Sequence, residues 1–240
     1  MARVSRRELK EDEFIHGFEE TLEFLEEQKA TLIALVLLVV LGAGALGSLW
    51  WYGKRQEARA SVALGRALEI FSAPIRANPG ATPDESGPSF ATEKEKYEAA
   101  QQEFARLRRE FSGTGVAVIA KHYEALALVQ LGQQDKGVPL LEEVSRAANP
   151  ERAAVAKLHL GSLYERSGRV EDARKLYRTL AAEPTLSVPR PVALLALADS
   201  LAGTNPAEAR NLYEEVKRLI GESPVSGQVE RRLEALPPSP

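Results

Sequence analysis

The sequence predicts an all-α protein in which one N-terminal transmembrane helix is followed by a solenoid of paired helices. Two observations carry that expectation. Thr31 to Tyr52 is a run of 22 residues without a charge. From Glu93 onward, a small, a large and an aliphatic residue return together every 36 residues.

Composition narrows the function. Of 240 residues, 44% are hydrophobic and 27% charged, which is ordinary globular usage. The net charge of -3 leaves no basic excess to hold a phosphate backbone, so no nucleic-acid partner is expected. Cysteine is absent, which excludes disulfides, thiolate zinc, iron–sulfur clusters and cysteine nucleophiles. The three histidines are far apart in the chain, so a His-rich metal site is not expected. Neither a cofactor nor a small-molecule substrate is expected.

Residues 1–30 form an acidic amphipathic segment, with five cations against nine carboxylates. Phe14, Phe18, Leu22 and Leu25 share one helical stripe. Membrane-surface helices usually carry Lys and Arg instead. That leaves two uses for the stripe, a partner helix or weak packing on the anchor or on neutral lipid.

Residues 31–52 are the expected anchor. At 1.5 Å per residue the run spans roughly 33 Å, close to a hydrocarbon core of about 30 Å. Trp50, Trp51 and Tyr52 close it with rings suited to the membrane interface, and Lys54 and Arg55 follow. A signal peptide has a shorter apolar region behind a basic start, so this segment reads as uncleaved. Ala43/Gly47 and Gly44/Ser48 either admit a neighbouring helix or are merely tolerated. Charge leaves the orientation open. Lys54, Arg55, Arg59 and Arg66 would draw the C-terminal side inward, while Arg3, Arg6 and Arg7 pull the other way.

Residues 53–71 continue the anchor as a helix. Residues 72–92 hold Pro74, Pro79, Pro83 and Pro88 with Gly80 and Gly87, a composition that predicts a mobile linker.

Residues 93–240 form the repeat domain. Ala173–Leu180 and Ala209–Val216 share the pattern Ala-Arg-x-Leu-Tyr, 36 residues apart. Gly137–Val144 lies 36 residues earlier with Leu141 in place of tyrosine, and Ala100, Phe104 and Leu107 make a fainter copy. On a helix the three positions share one face, where the small residue admits a neighbour and the large one fills the space behind it. Val116–Gly132, Val155–Ser167 and Val192–Ala202 are the intervening helices, so the unit is an antiparallel pair. Val225–Leu236 reads as a capping helix.

These residues resemble the tetratricopeptide repeat. The clearest copy carries Leu160, Gly161, Tyr164, Gly168, Ala173, Tyr177 and Pro184, with Lys157 where the usual tryptophan would stand. The order of parts is also similar to the YfgM-like family of bacterial inner-membrane proteins, ancillary to the SecYEG translocon. That resemblance implies a periplasmic repeat domain. It also implies protein partners among translocon subunits, periplasmic chaperones or emerging polypeptide. The proline-rich insert at 72–92 departs from that pattern.

The resemblance places the binding surface on the first helices, which line the concave face of such arrays. The residues it puts there are His122, Tyr123, Leu126 and Val129, then Leu158, His159 and Ser162, then Leu194, Leu195 and Ala198. The Lys/Asn set that grips a terminal carboxylate is missing, so an apolar segment is the expected ligand. The same leucines would equally serve as core between repeats. His122 and His159 read either as a ligand-contacting pair or as ordinary helix residues. Catalysis finds no motif. GxSxG is absent, and the string GAGALG at 42–47 lies inside the anchor rather than after a strand. Asp135, Glu142, Glu143, Glu171 and Asp172 read as a solvated face. Arg106, Arg108 and Arg109 are too mixed with Glu103 and Glu110 to suggest a phosphate patch. The alternative to an adaptor is a structural subunit fixed within a larger membrane complex.

Overall fold

The structure is a computed structural model, and it describes residues 29–76 and 87–237. The amphipathic segment before the anchor lies outside the described residues, as do 77–86 of the linker. The described chain is helical apart from one isolated bridge. The helices are α1 (Lys29–Ser72), α2 (Glu93–Glu110), α3 (Gly115–Gln130), α4 (Gln134–Val144), α5 (Pro150–Arg166), α6 (Val170–Ala182), α7 (Arg190–Leu201), α8 (Pro206–Ile220) and α9 (Ser226–Ala235). Two compact units divide between Arg55 and Gln56.

The first unit contains the early part of α1. Leu38, Val39, Val40, Leu41, Leu46, Trp50, Trp51 and Tyr52 are all exposed there. Among the described residues, no helix is long and apolar enough to cross a membrane. The side chains at 31–33, 35–37, 45 and 49 of the expected anchor lie outside the described residues. The membrane span therefore rests on the sequence.

The second unit is a solenoid in which each helix from α2 to α9 packs on the next. Its core starts before Glu93. Ala60 and Ala67 of α1 are fully buried with Ala100, Phe104 and Leu107 of α2, and Phe71 lies edge-on to Phe104. The end of α1 is thus the first member of the first pair. The linker leaves and rejoins this pair through a short clasp, in which Arg76 N–H donates to Phe90 O and Phe90 N–H to Pro74 O.

The pairs follow from local chemistry. Thr92, Thr114, Asn149 and Asn205 accept backbone N–H groups at the starts of α2, α3, α5 and α8. Pro150 and Pro206 open α5 and α8, where a missing N–H costs nothing. The α3–α4 and α5–α6 turns each need a left-handed residue. Gly132 (φ 77°) and Gly168 (φ 80°) supply it, 36 positions apart. At each turn the glycine N–H bonds back three residues and the next N–H five, closing the helix end.

Within the pairs, the repeating pattern is the core. Gly137, Leu141 and Val144, then Ala173, Tyr177 and Leu180, then Ala209, Tyr213 and Val216 are all buried. The small residue is a requirement at Gly137, where a Cβ would stand 2.8 Å from the Ala125 carbonyl oxygen. At Gly161 an added Cβ would overlap the Tyr177 ring. α9 closes the array with Val229 fully buried.

Candidate functional site

The first helices α3 and α5 and their surroundings enclose a cavity of about 190 Å³. α3 contributes Val118, Ile119, His122, Tyr123 and Leu126, and α5 contributes Val155 and His159. Val144 closes it from α4, while Glu151, Arg152 and Ser187 complete the lining. The lining residues follow from helical spacing, since 118, 122 and 126 on α3 and 151, 155 and 159 on α5 each recur at four. The cavity has room for one large apolar side chain.

A histidine pair joins the two helices. His122 Nε2 and His159 Nδ1 are 2.9 Å apart, so one ring donates to the other. Burial, and then the neighbouring His159, push the His122 pKa down to about 4. Burial also lowers His159. Both rings are neutral at pH 7, which keeps this wall of the cavity uncharged. The described residues hold no group of three or more His, Cys, Asp or Glu able to bind a metal ion.

Beside the cavity, Glu151 holds a loop in place. Its carboxylate accepts the N–H groups of Leu186 (3.2 Å) and Ser187 (2.7 Å). Those bonds, Ser187's first, hold the Glu151 carboxyl below its ordinary range. The loop therefore presents Ser187 to the cavity and leaves Leu186 92% exposed.

Of the ten residues assigned to a groove, four line this cavity: His122, Tyr123, Leu126 and His159. The rest do not. Val129, Leu194 and Ala198 are buried in the core between pairs. Leu158 and Leu195 are half-buried against that core, and Ser162 is exposed elsewhere on α5. The physical reason is that a first helix is flanked on two sides. One aliphatic stripe at 3.6-residue spacing can face either the neighbouring helices or the concave surface, and spacing alone does not separate them. Tyr123 also serves both. Its ring stacks on Phe104 with centroids 5.3 Å apart and meets Phe71 edge-on.

Tyrosine tips on α5, α6 and α8 serve a different purpose. Tyr164 OH donates to Glu142, Tyr177 OH to Glu165 and Tyr213 OH to Asp199. Each bond latches one helix to its neighbour. Burial first, and the carboxylates after it, raise the pKa of all three phenols. Glu142 and Glu143 are accordingly not a merely solvated face, because Glu143 also pairs with Lys121 of α3. Arg174, nearly buried, donates to Ser200 and Thr204 and ties α6 to the end of α7. Arg108 pairs with buried Glu124, and Arg106 with Glu103 and Glu110, which commits these two arginines to structure.

Val118, Ile119 and Val155 escaped sequence reasoning as cavity residues. Stepping back four positions from His122, Tyr123 and His159 along the same faces reaches them.

The tetratricopeptide repeat-like domain matches residues 23–237. No curated protein and no solved structure matches the chain. The match runs through α1 as well as the later pairs, in keeping with the burial of Ala60 and Ala67 beside α2. A repeat-like domain of this kind suggests a protein–protein interaction scaffold, with protein partners in general. On a match covering most of its length, this chain belongs to the tetratricopeptide repeat-like domain family.

Proposed function

We propose that the chain is a membrane-anchored adaptor that takes an apolar side chain of a partner polypeptide into the cavity between α3 and α5. The observation that carries this reading is the cavity itself: Val118, Ile119, Leu126 and Val155 line it beside two neutral histidines. Covering apolar surface there contributes about 25 cal/mol per Å², less the cost of ordering the partner.

The anchor is residues 31–52, supported by their 22 uncharged residues. The proposed location is the bacterial inner membrane, single-pass, with the repeats in the periplasm. The proposed partners are translocon subunits, periplasmic chaperones or emerging polypeptide. The similarity in order of parts to the YfgM-like family supports this location and these partners. No catalytic step is part of the reading.

The test is crosslinking in native membranes followed by mild-detergent purification of the full chain, with and without Val155→Phe to fill the cavity. The adaptor reading expects translocon subunits or chaperones to be recovered, and the variant to lose them. Recovery of one fixed complex in constant ratio, unaffected by the variant, would establish the structural-subunit reading instead. Release of the chain by alkaline carbonate would remove the anchor. Protection of the repeats from protease in intact spheroplasts would reverse the orientation.

A further inference from the structure

We propose that Trp50, Trp51, Lys54 and Arg55 form a binding site for the phosphodiester headgroups of anionic phospholipids. The inference rests on the anchor reading above, since it needs this turn of α1 to lie at a membrane surface.

Four observations meet at this one turn. First, it ends the apolar run. Leu46 is exposed just before it, and no charge occurs from Thr31 to Tyr52. Second, both tryptophan rings are exposed to solvent, Trp50 at 63% and Trp51 at 53%. Third, each ring holds a cation one helical turn further along. Lys54 Nζ lies 4.1 Å from the centre of the Trp50 ring, and the Arg55 guanidinium lies 3.7 Å from that of Trp51. Fourth, neither cation is an ion-pair partner of a carboxylate among the described residues. The nearest following carboxylate in the chain, Glu57, is engaged elsewhere and accepts the Gly115 N–H at 3.2 Å.

Together these make a prepared site rather than two loose side chains. An unrestrained Lys or Arg loses rotamer freedom when it binds an anion. Stacking on an indole face restrains that freedom beforehand and leaves the N–H groups at the outer edge unpaired. An indole sits at the boundary between acyl chains and headgroups, so it sets its cation at phosphate depth. The two ring–cation pairs are one residue apart in sequence, about 100° around the helix, so they face different lipids. The guanidinium can hold a phosphate with two parallel N–H bonds, while the ammonium meets it as a point charge. A neutral zwitterionic headgroup brings its own cation to the same place, so it is disfavoured relative to an anionic one.

The chain contains two tryptophans, Trp50 and Trp51. Its tryptophan fluorescence therefore reads this site alone. The full chain is reconstituted into phosphatidylcholine vesicles containing one-fifth brominated lipid, either phosphatidylglycerol or phosphatidylcholine. Bromine quenches indoles that touch the labelled lipid. The proposal expects brominated phosphatidylglycerol to quench more than brominated phosphatidylcholine, with the excess fading at high salt. Replacing Lys54→Gln and Arg55→Gln together should abolish the excess, since each cation favours the anionic lipid about fivefold. The conservative exchange Lys54→Arg with Arg55→Lys should keep it, which separates lost charge from damaged structure. Equal quenching by the two lipids in the native chain would overturn this site while leaving the anchor intact. An excess that survives the double Gln variant would also overturn it. Quenching by neither lipid would overturn the anchor reading, and the site with it.

Discussion

At offsets of 36 residues the second helices carry Gly137, Ala173 and Ala209, and then Leu141, Tyr177 and Tyr213, every one of them buried. The first helices at the same offset carry His122, Leu158 and Leu194, then Tyr123, His159 and Leu195, then Leu126, Ser162 and Ala198. Their burial ranges from complete to exposed. The difference has a physical origin. A second helix is enclosed by first helices before and after it, so its small and large positions answer to the same neighbours each time. A first helix has one more face to dispose of. Around α3 and α5 that face opens as a cavity, and around α7 it is filled by Leu194 and Ala198.

If the second helices are the frame, their damage should be the most severe. Tyr177→Ala should lower stability by about 3–5 kcal/mol, because it empties the space over Gly161 and leaves Glu165 without its donor. Thermal melting of the full chain in mild detergent would show this, and a loss under 1 kcal/mol would break the comparison.

The histidine pair should give the next largest effect, and one that depends on pH. An unfolded histidine titrates near 6.5, whereas His122 in the fold titrates near 4. Between those values the unfolded chain takes up a proton that the folded chain refuses. Stability is therefore full above pH 6.5 and declines on acidification until about pH 4, by roughly 3 kcal/mol for this group. Denaturation followed across that range should show the slope, and His122→Leu should flatten it. An unchanged slope in the variant would mean that other groups carry it.

Smaller effects sharpen the contrast. Gly137→Ala forces a methyl group against the Ala125 carbonyl, which as backbone cannot turn aside, and should cost about 1–3 kcal/mol. Gly203→Ala meets nothing within 4 Å and should leave the melting curve in place. Tyr213→Phe keeps the ring and loses the bond to Asp199, which still has Arg232, so about 1 kcal/mol is expected.

What was legible in the sequence follows the same division. The 36-residue recurrence, the turn glycines at 132 and 168 and the capping helix near Val225–Leu236 all come from packing rules that act within a few residues. The tyrosine latches were not legible, because Tyr164 finds Glu142 22 residues back and a carboxylate on a helix surface looks solvated until its neighbour is placed. The histidine pair was half visible. His122 and His159 fall on successive first helices, yet 37 residues of separation does not reveal a bond between them. The burial of Ala60 and Ala67, with Phe71 packed beside them, was hidden too, since the end of α1 reads as the tail of the anchor rather than as the opening of a pair.

The claim that first helices bind and second helices build can be tested at two positions in one experiment. A benzophenone side chain is placed at Arg152, on α5 at the edge of the cavity, or at Lys175, exposed on α6. The full chain is then irradiated in native membranes. The account predicts a discrete crosslinked partner from position 152 and none from 175. Crosslinking from 175 with none from 152 would contradict it.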